Sequence, residues 1–299
     1  MSSRFLEGVY VPLITPFAAD GSVALDSVEQ LCHDYLEAGS AGIVALGTTG
    51  ESSALDAAEQ RSVIDACARV CAERDAQLIV GAGTNSTAKT VAAVEALAGT
   101  PALAAALIVV PYYVRPSEAG IIAHYEAVAA ASPVPVVVYN IPVRTGRTLG
   151  PAGMLHLARH ENIAGVKQAV GALDTDTLEI LAGAPDDFSV LGGDDPFLLP
   201  TVLMGGAGAI CASAHVCTER FVAMIECGLA GKIEDGRAHA EALLPVIRAA
   251  YTDPNPAIFK GVLHAQGLIA TPDVRLPLTN GSAEGIARCL DAVAHASHP

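Results

Sequence analysis

The chain has 299 residues, of which 52% are hydrophobic, and its formal net charge at pH 7 is −15. This length predicts one large domain or two small ones, and the acidic charge balance argues against nucleic acid as a partner. No apolar run approaches the roughly 20 residues that span a bilayer, and residues 1–5 lack a signal-peptide pattern, so we expect no membrane segment and a cytoplasmic location.

Short apolar runs alternate with segments of helical spacing along the first 230 residues. Apolar runs of this length, bounded by polar residues, are typical of strands buried on both faces. In chain order, the predicted strands cover residues 8–17, 42–46, 77–82, 105–110, 135–139, 163–170, 188–192 and 207–212, and the helices that follow them cover 25–38, 59–74, 86–97, 117–131, 151–159, 176–181, 196–204 and 219–230.

Eight such strand–helix units predict a parallel sheet and favour a closed (β/α)8 barrel over an open doubly wound sheet, which stays the alternative. A nucleotide-binding sheet lacks its fingerprint, because Ser86 stands where the third glycine of residues 81–86 is needed. After residue 231 the alternation stops. We therefore predict an α/β fold with a TIM barrel over residues 1–230 and a C-terminal helical extension over residues 231–299 packed on it, with helices at 232–250, 256–266 and 283–296.

Lys167 lies near the carboxyl end of the sixth predicted strand, in a run that contains no acid. An ammonium group is costly to bury without partners. Two interpretations are open from this stretch alone. The side chain either reaches from the strand end to solvent, or it is a partly neutral amine nucleophile.

Other polar residues follow the strands at their carboxyl ends, where barrels place their chemistry. The turn Gly47-Thr48-Thr49-Gly50 offers hydroxyl and N–H groups that suit a small carboxylate, although an ordinary glycine-rich turn would look the same. Tyr139 ends the fifth strand, about 4.8 Å from the sixth, so its phenol is predicted to reach the nitrogen of Lys167. Arg144 suits a carboxylate ligand or a surface ion pair.

Metal chemistry has weak support in the sequence. The seven cysteines are dispersed and include no Cys-x-x-Cys pair, which predicts reduced core thiols rather than a zinc or thioredoxin-type site. His156 and His160 are four residues apart on a predicted helix but have no evident third ligand, so we expect no metal. Asp186-Asp187 and the pair Asp194-Asp195, which follows the seventh strand, are interpreted as helix caps rather than catalytic dyads.

Taken together, these motifs resemble the dihydrodipicolinate synthase / N-acetylneuraminate lyase superfamily. The resemblance runs almost end to end and is closest to the dihydrodipicolinate synthases, because sialate-type lyases usually carry Ser-Thr in the turn and lack an arginine at Arg144. The segments that carry it are residues 47–51, 111–116, 139–146 and 275–279, together with Lys167 and Asn255-Pro256.

This resemblance implies a lyase that condenses pyruvate with L-aspartate 4-semialdehyde to 4-hydroxy-tetrahydrodipicolinate, a reaction of lysine and diaminopimelate biosynthesis. It implies that the enzyme uses no cofactor and is a homotetramer built as a dimer of dimers. A pyruvate-dependent aldolase or dehydratase acting on sugar acids, or a non-catalytic pyruvate-binding paralogue, stays the alternative. The resemblance implies that Lys167 forms an imine with pyruvate, and that Thr49 and the backbone of Ile210 hold the pyruvate. It implies a proton relay of Tyr139, Thr48 and Tyr113, the last from a neighbouring subunit. It also implies that Arg144 binds the carboxylate of the aldehyde.

Two departures from the family pattern bear on specificity and regulation. Gln168 follows the lysine where an acid is common in the family. Lys89 stands where lysine-inhibited members carry a glutamate, and Ala57 and Gln60 replace histidines of the same effector site. Because a cation at Lys89 repels the ammonium group of lysine, we expect weak or absent inhibition by lysine.

Overall fold

The computed structural model describes residues 4–296 of the chain. Two short terminal segments lie outside this range. They are residues 1–3, part of the segment considered for a signal peptide, and residues 297–299, the end of the predicted extension. Within residues 4–296, no helix is long and apolar enough to cross a membrane.

Eight parallel strands close into a barrel in chain order, with β8 paired to β1. This confirms the predicted (β/α)8 barrel and excludes the open sheet. Almost every strand residue is buried, since side chains of one face fill the barrel and those of the other pack under the helices. The strands are β1 (Gly8–Pro12), β2 (Gly42–Ala45), β3 (Gln77–Gly81), β4 (Leu103–Val109), β5 (Val136–Asn140), β6 (Ile163–Gln168), β7 (Ser189–Gly192) and β8 (Gly208–Ile210).

Each predicted helix is present, most within two residues of its expected ends. The barrel helices are α1 (Leu25–Glu37), α2 (Ala57–Glu73), α3 (Thr87–Glu95), α4 (Glu118–Ala131), α5 (Pro142–Thr145), α6 (Pro151–Leu157), α7 (Thr175–Gly183), α8 (Leu198–Leu203) and α9 (Thr218–Leu229). The C-terminal extension consists of α10 (Ile233–Ala250), α11 (Ala257–Ala265) and α12 (Ala283–Ala296), of which α10 packs against α9 and α12. The boundary between residues 230 and 231 stays a prediction.

The differences in element ends have local causes. Helix α2 begins before residue 59 because Asp56 and Glu59 form a reciprocal capping box. The predicted strand 8–17 ends at Pro12, because the chain then crosses the barrel rim, where the Thr15 hydroxyl donates to the carbonyl of Gly50 at 2.7 Å. The single turn α5 was not predicted; it ends at Gly146, whose φ of 70° is in the left-handed region.

His215, in the turn after β8, ties that turn to the segment that follows β1. Its Nδ1–H donates to the carbonyl of Ala212 at 2.7 Å, and its Nε2 accepts from the backbone N–H of Ile14 at 3.1 Å. A protonated ring could still donate from Nδ1, but only the neutral ring can accept at Nε2, so the bond from Ile14 requires the neutral form. The side chain is buried, and this burial lowers the pKa of His215 to about 4.

The depressed pKa of His215 predicts a loss of stability in mild acid. Between pH 6.5 and 4 the unfolded chain binds a proton at this histidine while the folded protein does not, so stability falls as the pH falls. The contribution amounts to about 1.4 kcal/mol between pH 7.5 and 5.5. Urea unfolding at both pH values and constant protein concentration should show this extra loss in the wild type relative to His215→Gln. Equal pH dependence in the two proteins would contradict it.

Candidate active site

The site is built around Lys167, which lies on β6 directly opposite Tyr139 on β5. The predicted alignment of these two residues is therefore confirmed. Lys167 is only 7% exposed, and its Nζ lies 4.4 Å from the centre of the Tyr139 ring. A side chain that reaches out to solvent does not fit this burial, so that interpretation of Lys167 is wrong.

A cavity of about 400 Å³ opens above Lys167 at the carboxyl ends of the strands. Its walls come from loops that follow several strands and from α10. It brings together six of the seven residues named from the sequence: Lys167, Tyr139, Thr48, Thr49, Arg144 and Ile210.

Tyr113, the seventh residue named from the sequence, does not line the Lys167 cavity. Its side chain is 87% exposed, and its φ of 71° lies in the left-handed region. For a bulky residue this backbone conformation is strained. The ring makes little contact with the body of its own chain.

The turn that carries Thr48 and Thr49 is held by close backbone packing and by the extension. Leu46, which precedes it, has a φ of 55°. A Cβ at Gly81 would stand 2.2 Å from the carbonyl oxygen of Leu46, so only a glycine on β3 leaves room for this bend. The side-chain amide of Asn255 donates to the Thr49 hydroxyl at 3.0 Å and thereby orients it.

Glu51 ends the same turn in a buried ion pair that sequence reasoning missed. Its Oε1 accepts from Nζ of Lys260 at 2.6 Å, and its Oε2 accepts from the backbone N–H of Arg275 at 2.8 Å. Both charged side chains are almost completely buried. Burial lowers the pKa of Lys260 to about 8, and the carboxylate of Glu51 opposes that shift. The turn is thereby anchored to the C-terminal extension.

Gly193, which follows β7, lies against the stem of Lys167. A Cβ at this position would stand 3.0 Å from Cγ and Cε of Lys167 and 2.9 Å from Cβ of Ala169. The absence of a side chain therefore lets the backbone confine the lysine on this side.

Asp194 and Asp195 also line the Lys167 cavity. Asp194 stands at the N-cap position of the short turn Asp195–Phe197, but its side chain makes no capping hydrogen bond, so the predicted side-chain cap is absent there. The Asp194 carboxylate accepts from the backbone N–H of Gly171 at 2.6 Å. Asp195 is 3% exposed, and its Oδ2 accepts from the N–H of Ser213 at 2.9 Å and from the Tyr251 hydroxyl at 3.1 Å. Burial raises the pKa of Asp195, and these hydrogen bonds oppose that rise. Their position after a strand end was the signal that could have identified them.

The two histidines considered as a metal pair bond to different partners. His156 lies 2.9 Å from the carboxylate of Glu126, whereas His160 follows the end of α6 and accepts from the N–H of Asn162. Among residues 4–296, no group of three or more histidine, cysteine, aspartate or glutamate side chains is placed to hold a metal ion. All seven cysteines are free thiols, five of them buried.

Comparison with known proteins gives concordant results at the levels of sequence and fold. Residues 5–296 match the profile of the Dihydrodipicolinate synthetase family. The 4-hydroxy-tetrahydrodipicolinate synthase of Moorella thermoacetica is 41% identical to this chain, over 92% of this chain and 93% of its own. The enzyme of the same name from Neisseria gonorrhoeae is 39% identical, over 91% of this chain and 92% of its own. A solved structure from Cyanidioschyzon merolae, with lysine bound, has a TM-score of 0.93 at 32% identity, covering 98% of this chain and 99% of that one.

The contact between Gly193 and Lys167 predicts that Gly193→Ala displaces the lysine from its place in the cavity. Because the new Cβ meets both Lys167 and the backbone-anchored Ala169, we expect the rate at which the Lys167 amine reacts with a carbonyl probe such as pyruvate to fall at least about tenfold. Rapid-quench trapping of the imine measures this rate. Gly120→Ala on α4 is the matched control, since its nearest contacts at 3.4 and 3.5 Å accommodate a methyl group. Equal trapping rates in the two variants would contradict the assignment.

Proposed function

Because this chain belongs to the dihydrodipicolinate synthetase family, we propose that it condenses pyruvate with L-aspartate 4-semialdehyde to 4-hydroxy-tetrahydrodipicolinate. It is a lyase, and the reaction belongs to lysine and diaminopimelate biosynthesis. The observation that carries the proposal is the buried Lys167, opposite Tyr139 and beneath a cavity that also contains a threonine turn and an arginine.

The first step forms an imine between Lys167 and pyruvate. The lysine nitrogen attacks C2 of pyruvate, the carbonyl oxygen leaves as water, and the product is an iminium ion. Thr49 and the backbone of Ile210 hold the pyruvate. The hydrogen bond from Asn255 to Thr49 supports this role, because it orients the hydroxyl before pyruvate binds.

The second step forms the carbon–carbon bond. The iminium nitrogen accepts an electron pair as a proton leaves the methyl group, which gives an enamine. The enamine carbon attacks the aldehyde carbon, and the new alkoxide takes up a proton. A relay of Tyr139, Thr48 and Tyr113 carries these protons. The position of Tyr139 and Thr48 on the cavity wall supports this assignment.

The last step releases the lysine by ring closure. The amino nitrogen of the former aspartate semialdehyde attacks C2, and the bond from C2 to the Lys167 nitrogen breaks. Arg144 binds the carboxylate of this substrate at the cavity mouth, where its exposed guanidinium group supports the role. The imine itself serves as the electron sink, so the proposed mechanism uses no cofactor and no metal.

We further propose a cytoplasmic homotetramer built as a dimer of dimers. Tyr113 supports a dimer because its ring projects away from its own chain, with 87% of its surface exposed. Val114 and Val143 are also exposed, at 57% and 87%, and an apolar surface of this kind suits contact with a second subunit.

Borohydride trapping tests the imine directly. We expect pyruvate and borohydride to modify Lys167 of the wild-type protein, as located by peptide mass spectrometry, and to leave Lys167→Ala unmodified. Lys89→Ala and Lys232→Ala remove lysines outside the Lys167 cavity and should be trapped like the wild type. Steady-state turnover should then favour L-aspartate 4-semialdehyde over sugar-acid aldehydes. An unmodified Lys167, or faster turnover of a sugar-acid aldehyde, would overturn the proposal.

The substitutions at Lys89, Ala57 and Gln60 predict weak or absent feedback inhibition by lysine. Lys89 places a positive charge where lysine-inhibited relatives carry a negative one, which repels the ammonium group of the effector. Initial rates with both substrates should therefore stay unchanged at sub-millimolar lysine. Lys89→Glu, which reverses that charge, should increase the sensitivity to lysine. Strong inhibition of the wild type by sub-millimolar lysine would show that the prediction is wrong.

A further inference from the structure

The charged side chains of the Lys167 cavity include both signs. Arg144, which follows β5, and Arg248, on α10, contribute the positive charge at its exposed mouth. Asp194 and Asp195, which follow β7, contribute negative charge to the same cavity. Lys167 supplies a third positive charge. Burial raises the pKa of both aspartates, and this charge is close enough to oppose the rise. Asp194 is only partly buried, so it can also face a cationic group on a ligand that enters the cavity.

Asp194 is held in a fixed position on the cavity wall. Its Oδ2 accepts from the backbone N–H of Gly171 at 2.6 Å, the one hydrogen bond of this carboxylate among the described residues, so Oδ1 has no partner there. The residue is partly exposed, which leaves it accessible to a ligand. It directly follows Gly193, whose backbone touches the stem of Lys167, so Asp194 lies close to the atoms that react.

Asp195 reinforces the negative potential from a buried position in the cavity wall. Its Oδ2 is engaged by the backbone of Ser213 and by Tyr251. Its Oδ1 is buried and has no hydrogen-bond partner within residues 4–296. Burial raises the pKa of Asp195, and the nearby ammonium group of Lys167 opposes this rise and so favours the charged form. Asp195 is thus placed to strengthen the binding of a cation at its accessible neighbour Asp194.

We propose that Asp194 binds the ammonium group of the amino-aldehyde substrate, while Arg144 binds its carboxylate. This inference rests on the proposed function, in which the second substrate carries both groups on one carbon atom. A cation site and an anion site on the cavity wall distinguish this substrate from aldehydes without an amino group. The position also suits the last step, because the same nitrogen must reach C2 of the imine on Lys167.

Succinate semialdehyde provides the test, because it has the same aldehyde and carboxylate as aspartate semialdehyde but lacks the amino group. Asp194→Asn removes the charge and keeps an oxygen that accepts from Gly171. We expect kcat/KM for aspartate semialdehyde to fall about 10- to 100-fold, since a charge-assisted contact is lost. The inhibition constant of succinate semialdehyde as a competitor should change less than about threefold, because the analogue has no group for Asp194.

Asp187→Asn is the matched control. It removes the same charge from the loop before β7, at the other end of the strand, and should leave both constants unchanged. Trapping of the pyruvate imine in Asp194→Asn at the wild-type rate would show that Lys167 is undisturbed. If Asp194→Asn weakens both aldehydes equally, or neither, the assignment is overturned. If the wild type fails to turn over aspartate semialdehyde, the proposed function itself fails, which is a separate result.

Discussion

The buried ion pair between Lys260 and Glu51 joins two parts of the chain that lie 209 residues apart. Glu51 closely follows Thr48 and Thr49, so the position of both hydroxyls depends on a helix of the C-terminal extension. Removing one partner of such a pair typically costs about 3–5 kcal/mol, because a charge is left unpaired in the interior. That cost is a large part of the about 5–15 kcal/mol by which folded domains are stable. The pair therefore helps to hold the threonine turn in place.

The extension also contributes directly to the Lys167 cavity. Arg248 and Tyr251 from the end of α10, and Asn255 after it, line the cavity walls. Tyr251 holds Asp195 and Asn255 holds Thr49, so the extension orients side chains that the barrel loops supply. The barrel provides the lysine and the tyrosine, and the extension completes the polar surroundings.

Two glycines show how closely backbone and side chains approach each other at this rim. Gly81 accommodates the bend at Leu46, and Gly193 accommodates the stem of Lys167. Each contact replaces solvent by a fixed peptide group, which restricts the motion of the neighbouring reactive groups before substrate binds. Such preorganisation explains why residues without side chains matter at a site whose chemistry is that of an amine.

The barrel, the eight strands and the alignment of Tyr139 with Lys167 could be predicted from the sequence. Apolar periodicity and strand order are local signals, and both residues lie at the carboxyl ends of neighbouring strands. The surroundings of Asp195 and Lys260 and the exposure of Tyr113 became known only from the folded chain. A buried aspartate resembles a helix cap, and a lysine in an apolar helix resembles a surface residue, until folding brings their partners from distant parts of the chain. The partners of a buried charge are long-range contacts, and no local pattern encodes them.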